Sequence, residues 1–237
     1  MKFLKGLAIT IGALVIVAVL VLGYLGFVPG VSNLFGSNKP KDLGVTYTAA
    51  DSASAHAKNG TTHTILPAGS VPSIVFSGSH PVNTVYTQAE MNAIINNTQW
   101  TNYPLKDCQL KINPDNTVEF SGIIITNRLK AYEAALNLGD SLHPITDLLK
   151  HIPDDPAFYA KGTVEIENGQ IVNTDITEFK LGNLTLTNQV DNNLQTLINH
   201  VYTEIAAYPG LSITTLKITN GKVQFVGTLP DSARTIQ

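Results

Sequence analysis

The chain has 237 residues, enough for one anchored domain or two small ones. Charged residues make up 14% of the chain, against about 25% in an average soluble domain. Beyond residue 5 it carries 13 basic and 18 acidic residues, a net charge of −5. A nucleic-acid-binding protein needs a basic surface, so the composition predicts no nucleic-acid partner.

The N-terminal residues predict a membrane anchor. Gly6–Val28 is a run of 23 residues without a charge, and 14 of them are Leu, Ile, Val or Phe. That length spans a bilayer, and these side chains favour insertion by roughly 4 to 8 kcal/mol. A cleaved signal peptide has an apolar stretch of only about 7 to 15 residues followed by an A-x-A site, and no such site follows this segment. We therefore expect an uncleaved, single-pass helix.

The flanks of this segment predict its orientation. Lys2 and Lys5 precede it, and Tyr24 and Phe27 are aromatic residues of the kind that lie at a membrane interface. Positive charge favours the cytoplasmic side. We expect a protein of the cell membrane with its N-terminus in the cytoplasm and its C-terminal part outside.

The chain divides into three predicted parts. Residues 1–28 form a cytoplasmic stub and transmembrane helix, residues 29–47 a linker rich in Pro, Gly, Ser and Asn, and residues 48–237 an extracytoplasmic domain. The only cysteine, Cys108, has no partner for an internal disulfide, so we expect it to be a small core residue.

The domain begins with a weak helix and an irregular stretch. Thr48 and Asp51 have the spacing of a helix N-terminus, and Gly60 marks its end. Residues 61–86 contain three prolines and predict an irregular connection with one edge strand near residues 73–76.

A helix followed by a hairpin is predicted twice. In the first unit, Thr87 and Glu90 form a capping box before a helix, and alternating strands flank the turn at residues 113–116. In the second unit, an amphipathic helix over residues 188–208 precedes a hairpin with an Asn220-Gly221 turn. Short residue matches between the units leave two interpretations open: an internal α-β-β duplication, or two ordinary hairpins.

Between these units we predict a helix and a further hairpin. Asn127 is the candidate cap of the helix, and a proline-bounded stretch from His143 to Pro156 follows it. An alternating strand then precedes an Asn168-Gly169 turn, and the strand after the turn changes phase near Gly182, where we place a bulge or break. The fold class is therefore α+β: an antiparallel sheet of β-hairpins covered on one face by helices, after the N-terminal transmembrane helix.

Motifs for catalysis or metal binding are scarce. The chain contains no H-E-x-x-H, C-x-x-C, G-x-S-x-G, P-loop or G-x-G-x-x-G pattern, so we predict no catalytic residue, metal site or cofactor. His56, His63 and His80 lie in one loop-rich segment, and two interpretations stay open: a faint site cluster, or solvent-exposed and turn histidines. Asp154 and Asp155 form an acid pair that is more typical of a solvated turn.

One short segment resembles a known family. Lys180–Val201 contains Leu181-Gly-Asn-Leu184 and Leu186 ahead of a helix with Leu194, Leu197 and Ile198, and it resembles the YpmS-like group of membrane-anchored bacterial proteins. The resemblance implies a bacterial, single-pass membrane protein and carries no catalytic residue.

These observations lead to three functional hypotheses. The first is a membrane-anchored extracytoplasmic module, not an enzyme, that binds an unknown protein or lipid partner or serves the cell envelope. The second is a domain that holds a lipid or other apolar ligand between the long helix and the sheet. Gly122, Gly162 and Gly227 would then leave room in the strands, and in the simpler interpretation they mark bulges or bends. The third is a cell-envelope hydrolase whose site is assembled from scattered residues.

Overall fold

The computed structural model describes residues 15–25, 28, 30–138, 149 and 155–237, without the side chains of residues 187–195 and 197. The helices in this part of the chain are α1 (residues 15–25), α2 (Val31–Phe35), α3 (Ala49–Asn59), α4 (Gln88–Asn96), α5 (Leu129–Ala135) and α6 (Thr187–Ala206). The strands are β1 (Thr62–Ile65), β2 (Ile74–Ser77), β3 (His80–Tyr86), β4 (Leu105–Ile112), β5 (Val118–Ile124), β6 (Ala157–Glu167), β7 (Gln170–Leu181), β8 (Leu184–Thr185), β9 (Ser212–Thr219), β10 (Lys222–Leu229) and β11 (Ser232–Thr235).

Within the described residues, no helix combines the length and the apolar character that crossing a bilayer requires. Helix α1 covers part of the predicted anchor and includes Tyr24, whereas Lys2, Lys5 and Phe27 lie outside the described residues.

The predicted helix starts of α3 and α4 are confirmed. Thr48 accepts a hydrogen bond from the backbone N–H of Asp51, the Asp51 carboxylate accepts one in return, and Gly60 ends α3 with a φ of 70°. Thr87 and Glu90 form the same reciprocal pair at α4. Both pairs satisfy backbone N–H groups that the first turn of a helix leaves without partners.

The large eight-stranded sheet is antiparallel and branches at β6. One edge of β6 pairs with β7, whereas its other edge pairs first with β5 and then, at Ile166 and Glu167, with β9. The sheet therefore has two arms, β5–β4 and β9–β10–β3. A Cβ atom on Gly162, near the branch, would lie 2.1 Å from the carbonyl oxygen of Asp175, so only glycine fits there.

Helix α4 lies between the two arms and packs against both. Its Met91 and Ile94 pack on the cluster of Val82, Tyr86, Val223 and Phe225 in the β9–β10–β3 arm. Its Ile95 packs on a second apolar cluster, which contains Cys108, Ile124 and Phe158. The helix thus joins two apolar clusters into one core region, and Cys108 is buried there, as predicted.

Side-chain amides of α4 also pair with the edge strand β4. Asn92 donates to the carbonyl oxygen of Leu110 at 2.7 Å and accepts from its N–H at 2.8 Å. Asn96 makes the same two contacts with the backbone of Cys108, and Gln88 accepts from the N–H of Ile112. These amides occupy the edge of the sheet, which would otherwise be open to pairing with another chain.

The two helix–hairpin units use their helices differently. Helix α4 contacts its own strand β4, whereas α6 contacts β7, which lies outside its own hairpin. The β9–β10 turn at Asn220-Gly221 is confirmed, with both residues at positive φ. The internal duplication stays a prediction.

The prediction for residues 61–86 is confirmed for one edge strand, β2, and is wrong for the rest of the stretch. This stretch contains three strands, because β1 and β2 pair with the C-terminal strand β11, and β3 pairs with β10 in the large sheet. The small sheet has the order β1–β11–β2, and its β1–β11 pair is parallel. The pattern of residues 61–86 alone could not reveal this small sheet, because its central strand, β11, comes from the end of the chain.

The middle of the domain differs from its prediction in one detail. Residues Thr126–Arg128 form a 3₁₀ turn before α5, and Arg128, not Asn127, is the N-cap residue, with no side-chain capping bond. The hairpin turn at Asn168-Gly169 is confirmed, and β7 ends before Gly182, which has a φ of 57°. Most of the stretch from His143 to Pro156 lies outside the described residues.

Residues near position 41 are bound to the large sheet. Lys41 lies 3.0 Å from the Glu119 carboxylate and 3.8 Å from the centre of the Tyr159 ring, and Tyr159 donates to the same carboxylate. The hydrogen bond from Lys41, and with it the bond from Tyr159, lowers the pKa of Glu119 to about 2. Leu43, two residues later, is buried. The C-terminal end of the predicted linker is therefore held against the domain.

Candidate functional site

A cleft of about 1090 Å³ lies between the small sheet and helices α3 and α4. One face of the small sheet forms a wall, and α3 with residues 96–100 forms the other. Twenty residues line it: Tyr47, Thr48, Ala49, Ser52, Ala55, His56, Asn59, Thr61, His63, Ile74, Phe76, Ala93, Ile94, Asn96, Asn97, Thr98, Gln99, Trp100, Ala233 and Thr235. We call this the α3 cleft.

The small sheet gives the cleft a continuous wall. His63, Ala233 and Phe76 are cross-strand neighbours in one row, and Thr235 and Ile74 are neighbours two residues further along. Because side chains alternate between the two faces of a strand, these five residues share one face. The wall therefore depends on the last strand of the chain.

Two ion-paired residues hold α3 against α4 and the large sheet. Glu90, at the start of α4, binds Lys58 at 2.6 Å and accepts a hydrogen bond from Ser54. Lys58 also donates to the carbonyl oxygen of Val85. Burial alone would raise the pKa of Glu90, but hydrogen bonds from Lys58, Ser54 and the Thr87 backbone lower it to about 2. Both helices are thereby fixed beside the cleft.

The predicted histidine cluster is brought together only in part. The rings of His56 and His63 meet edge to face, 5.6 Å apart, inside the α3 cleft. Partial burial and the neighbouring His56 lower the pKa of His63, which favours its neutral form. His80 instead contacts the Asp231 carboxylate and the carbonyl oxygen of Asn59. Among the described residues, no three His, Cys, Asp or Glu side chains are grouped to hold a metal ion.

The segment after α4 forms the rim of the cleft. Asn97 donates to the Ser52 hydroxyl at 3.1 Å, which links the rim to α3. Thr235 donates to the carbonyl oxygen of Gln99 at 2.6 Å, which links it to β11. Trp100 is buried against Tyr132, with ring centres 5.5 Å apart. Sequence patterns missed this rim because its contacts come from three distant parts of the chain.

The side chains that line the α3 cleft carry no carboxylate, ammonium or guanidinium group. None of the twenty lining residues is Asp, Glu, Lys or Arg. Ser52 lies one helical turn before His56, but among the described residues no hydrogen bond joins the two side chains. The lining can therefore form neutral hydrogen bonds and apolar contacts, and it offers no carboxylate as a general acid or base.

The acid pair predicted at residues 154 and 155 is described only at Asp155. Its carboxylate accepts hydrogen bonds from the N–H and hydroxyl groups of Thr126 and lies 3.4 Å from Lys106. These contacts place Asp155 at the start of the 3₁₀ turn, where it stabilises backbone N–H groups. Asp154 lies outside the described residues.

The three strand glycines leave no room for a ligand. A Cβ atom on Gly122 would lie 2.8 Å from the Cys108 sulfur, and one on Gly227 would lie 2.0 Å from the carbonyl oxygen of Ser212. Gly162 is equally crowded. Gly162 and Gly227 stand at register shifts in the pairing of β6 with β7 and of β10 with β9, so they serve close backbone approach.

No family model, curated protein or solved structure matches this chain. The resemblance of residues 180–201 to the YpmS-like group stays a prediction. In the structure this segment contains Leu181 and Leu186, both buried in the apolar cluster that includes Cys108.

Proposed function

We propose that this protein is a single-pass membrane protein whose extracytoplasmic domain binds a ligand in the α3 cleft. The observation that carries the binding role is the cleft itself. Its volume of about 1090 Å³ is slightly above the range of about 300 to 1,000 Å³ that is usual for small-molecule sites, and polar and aromatic side chains line it. The uncharged lining favours a binding protein over a hydrolase with paired carboxylates.

The surface of helix α1 supports the anchor. The large apolar side chains of its residues 15–22 are each 38% to 61% exposed, so they contact whatever surrounds the protein. Contact with water is unfavourable for such a continuous apolar surface, whereas contact with lipid chains is not. The 23-residue uncharged run that contains α1 is long enough to span the bilayer.

Two hydrogen bonds join the C-terminal end of α1 to the rest of the protein. Asn183, in the turn between β7 and β8, donates to the carbonyl oxygen of Tyr24 at 2.8 Å. The Ser37 hydroxyl donates to the carbonyl oxygen of Gly23 at 3.3 Å. If α1 is the outer part of the anchor, this turn of the domain lies close to the outer membrane surface.

Cysteine labelling in intact cells tests the orientation. Val172, on β7, is 56% exposed, and the only native cysteine is buried, so Val172→Cys introduces the single accessible thiol. We expect a membrane-impermeant maleimide to label Val172→Cys in intact cells. The matched control, Phe3→Cys, keeps Lys2 and Lys5 and should react only after the cells are permeabilised.

The reverse labelling pattern would overturn the proposed orientation. Extraction of membranes with alkaline carbonate tests the anchor separately, because an integral protein stays in the membrane pellet. Release of the full-length chain by carbonate would refute the anchor while leaving the α3 cleft to be tested by ligand binding.

A further inference from the structure

The polar side chains of the α3 cleft include no carboxylate, ammonium or guanidinium group. They are amides, hydroxyls and imidazoles, which both donate and accept hydrogen bonds, and the Trp100 indole, which only donates. The lining contains no lysine or arginine to neutralise a phosphate or carboxylate, and no carboxylate to bind a metal ion or an amine. An ionic ligand would therefore lose its hydration without gaining a counter-charge.

The rim keeps hydrogen-bonding capacity for a ligand. Asn97, Thr98 and Gln99 are exposed at the end of α4. Asn97 uses its amide N–H₂ group toward Ser52, so its side-chain oxygen can still accept a bond and the Ser52 hydroxyl can still donate one. His56 is also exposed and adds a ring that can donate at one nitrogen and accept at the other.

Apolar and aromatic surface lies beside these polar groups. Phe76 and Ile74 belong to the wall of the small sheet, Trp100 is at its rim, and Tyr47 is 38% exposed where the chain enters α3. A sugar ring has an apolar face of C–H groups and an edge of hydroxyls, so it matches both kinds of surface at once. An acyl chain would match only the apolar part, and it would cover the amides and hydroxyls without offering them hydrogen-bond partners.

We propose that the α3 cleft binds an uncharged carbohydrate chain, with Asn97, Ser52 and His56 contacting its hydroxyl groups. This inference rests on the proposed function, since it names the ligand class of the same cleft. The cleft volume of about 1090 Å³ suits an oligosaccharide better than a single sugar ring.

Tryptophan fluorescence gives a direct test. Trp100 is the only tryptophan in the chain, and it lines the cleft. The full-length chain is studied in a zwitterionic detergent without a sugar headgroup, and chitohexaose, cellohexaose and maltohexaose are titrated separately. We expect at least one of them to change the Trp100 emission saturably, while oligogalacturonate and palmitate do not.

Variants then locate the site. Asn97→Ala and His56→Gln should each weaken binding of that oligosaccharide by about 3- to 10-fold, the effect of one lost hydrogen bond. Asn173→Ala, an exposed amide on β7 outside the cleft, is the matched control and should leave the affinity unchanged. Thermal unfolding of each variant shows whether it is folded.

Three results would overturn this inference: no saturable response to any of the neutral oligosaccharides, binding only of the acidic oligosaccharide or of palmitate, or unchanged affinity in folded Asn97→Ala and His56→Gln proteins. A response to palmitate would keep the cleft as a ligand site and change its ligand class. The labelling experiment on Val172→Cys is independent of these outcomes.

Discussion

Replacing Asn92 with alanine tests whether α4 holds the edge of the large sheet. The Asn92 side chain is 1% exposed and makes two hydrogen bonds with the backbone of Leu110. Its loss leaves one N–H and one carbonyl group of β4 without partners beneath a packed helix. Each such group costs about 1 to 3 kcal/mol, so the free energy of unfolding should fall by roughly 2 to 6 kcal/mol.

The measurement is urea unfolding of the full-length protein in detergent, followed by circular dichroism, with wild type beside the variant. Asn173→Ala is the control, because its amide is exposed and makes only a 3.4 Å contact, so we expect a change within about 0.5 kcal/mol. If Asn92→Ala lost less than about 1 kcal/mol, water or another group would be replacing the amide, and the assigned role of α4 would be wrong.

Three further predictions concern buried or crowded groups. Burial raises the pKa of the Cys108 thiol to about 12, so iodoacetamide at pH 8 should modify it only after unfolding; rapid labelling of the folded protein would contradict this. The pKa of Glu119 is lowered from 4.5 to about 2, so its ion pair stabilises the fold above pH 4.5 and is lost as the pH falls toward 2. Unfolding curves between pH 7 and 3 should therefore show a weaker loss of stability in acid for Lys41→Met than for wild type. Gly162→Ala should lower the free energy of unfolding by about 1 to 3 kcal/mol, because its Cβ atom would lie 2.1 Å from the Asp175 carbonyl oxygen; an unchanged denaturation midpoint would show that the strands can separate there.

Much of the secondary structure could be predicted because its causes are local. The capping boxes at Thr48 and Thr87 depend on residues three positions apart, and the Asn-Gly turns at 168 and 220 depend on two adjacent residues with positive φ. These motifs can be recognised from a few neighbouring residues, whatever the rest of the chain contains. The prediction of an α+β fold with mostly antiparallel strands is confirmed for the same reason.

The α3 cleft depended on contacts between distant residues, so local patterns could not reveal it. Its wall forms because β11, at the end of the chain, pairs with β1 and β2 about 160 residues earlier. The contacts between α4 and the edge of β4 could not be predicted either. They are made by polar residues, and the spacing of apolar residues along a helix does not show which polar residues will bind a strand. Their role follows from what lies opposite them after folding.

The amino-acid sequence by itself determined the long uncharged N-terminal segment, the helix starts, the hairpin turns and the absence of familiar catalytic motifs. Each of these follows from composition or from neighbouring residues. Only the tertiary structure decided that His56 and His63 meet while His80 binds Asp231, and that an uncharged cleft forms around the single tryptophan. The physical reason is that a binding surface is defined by which side chains become neighbours in space, and here those neighbours come from α3, from the end of α4 and from three separate strands.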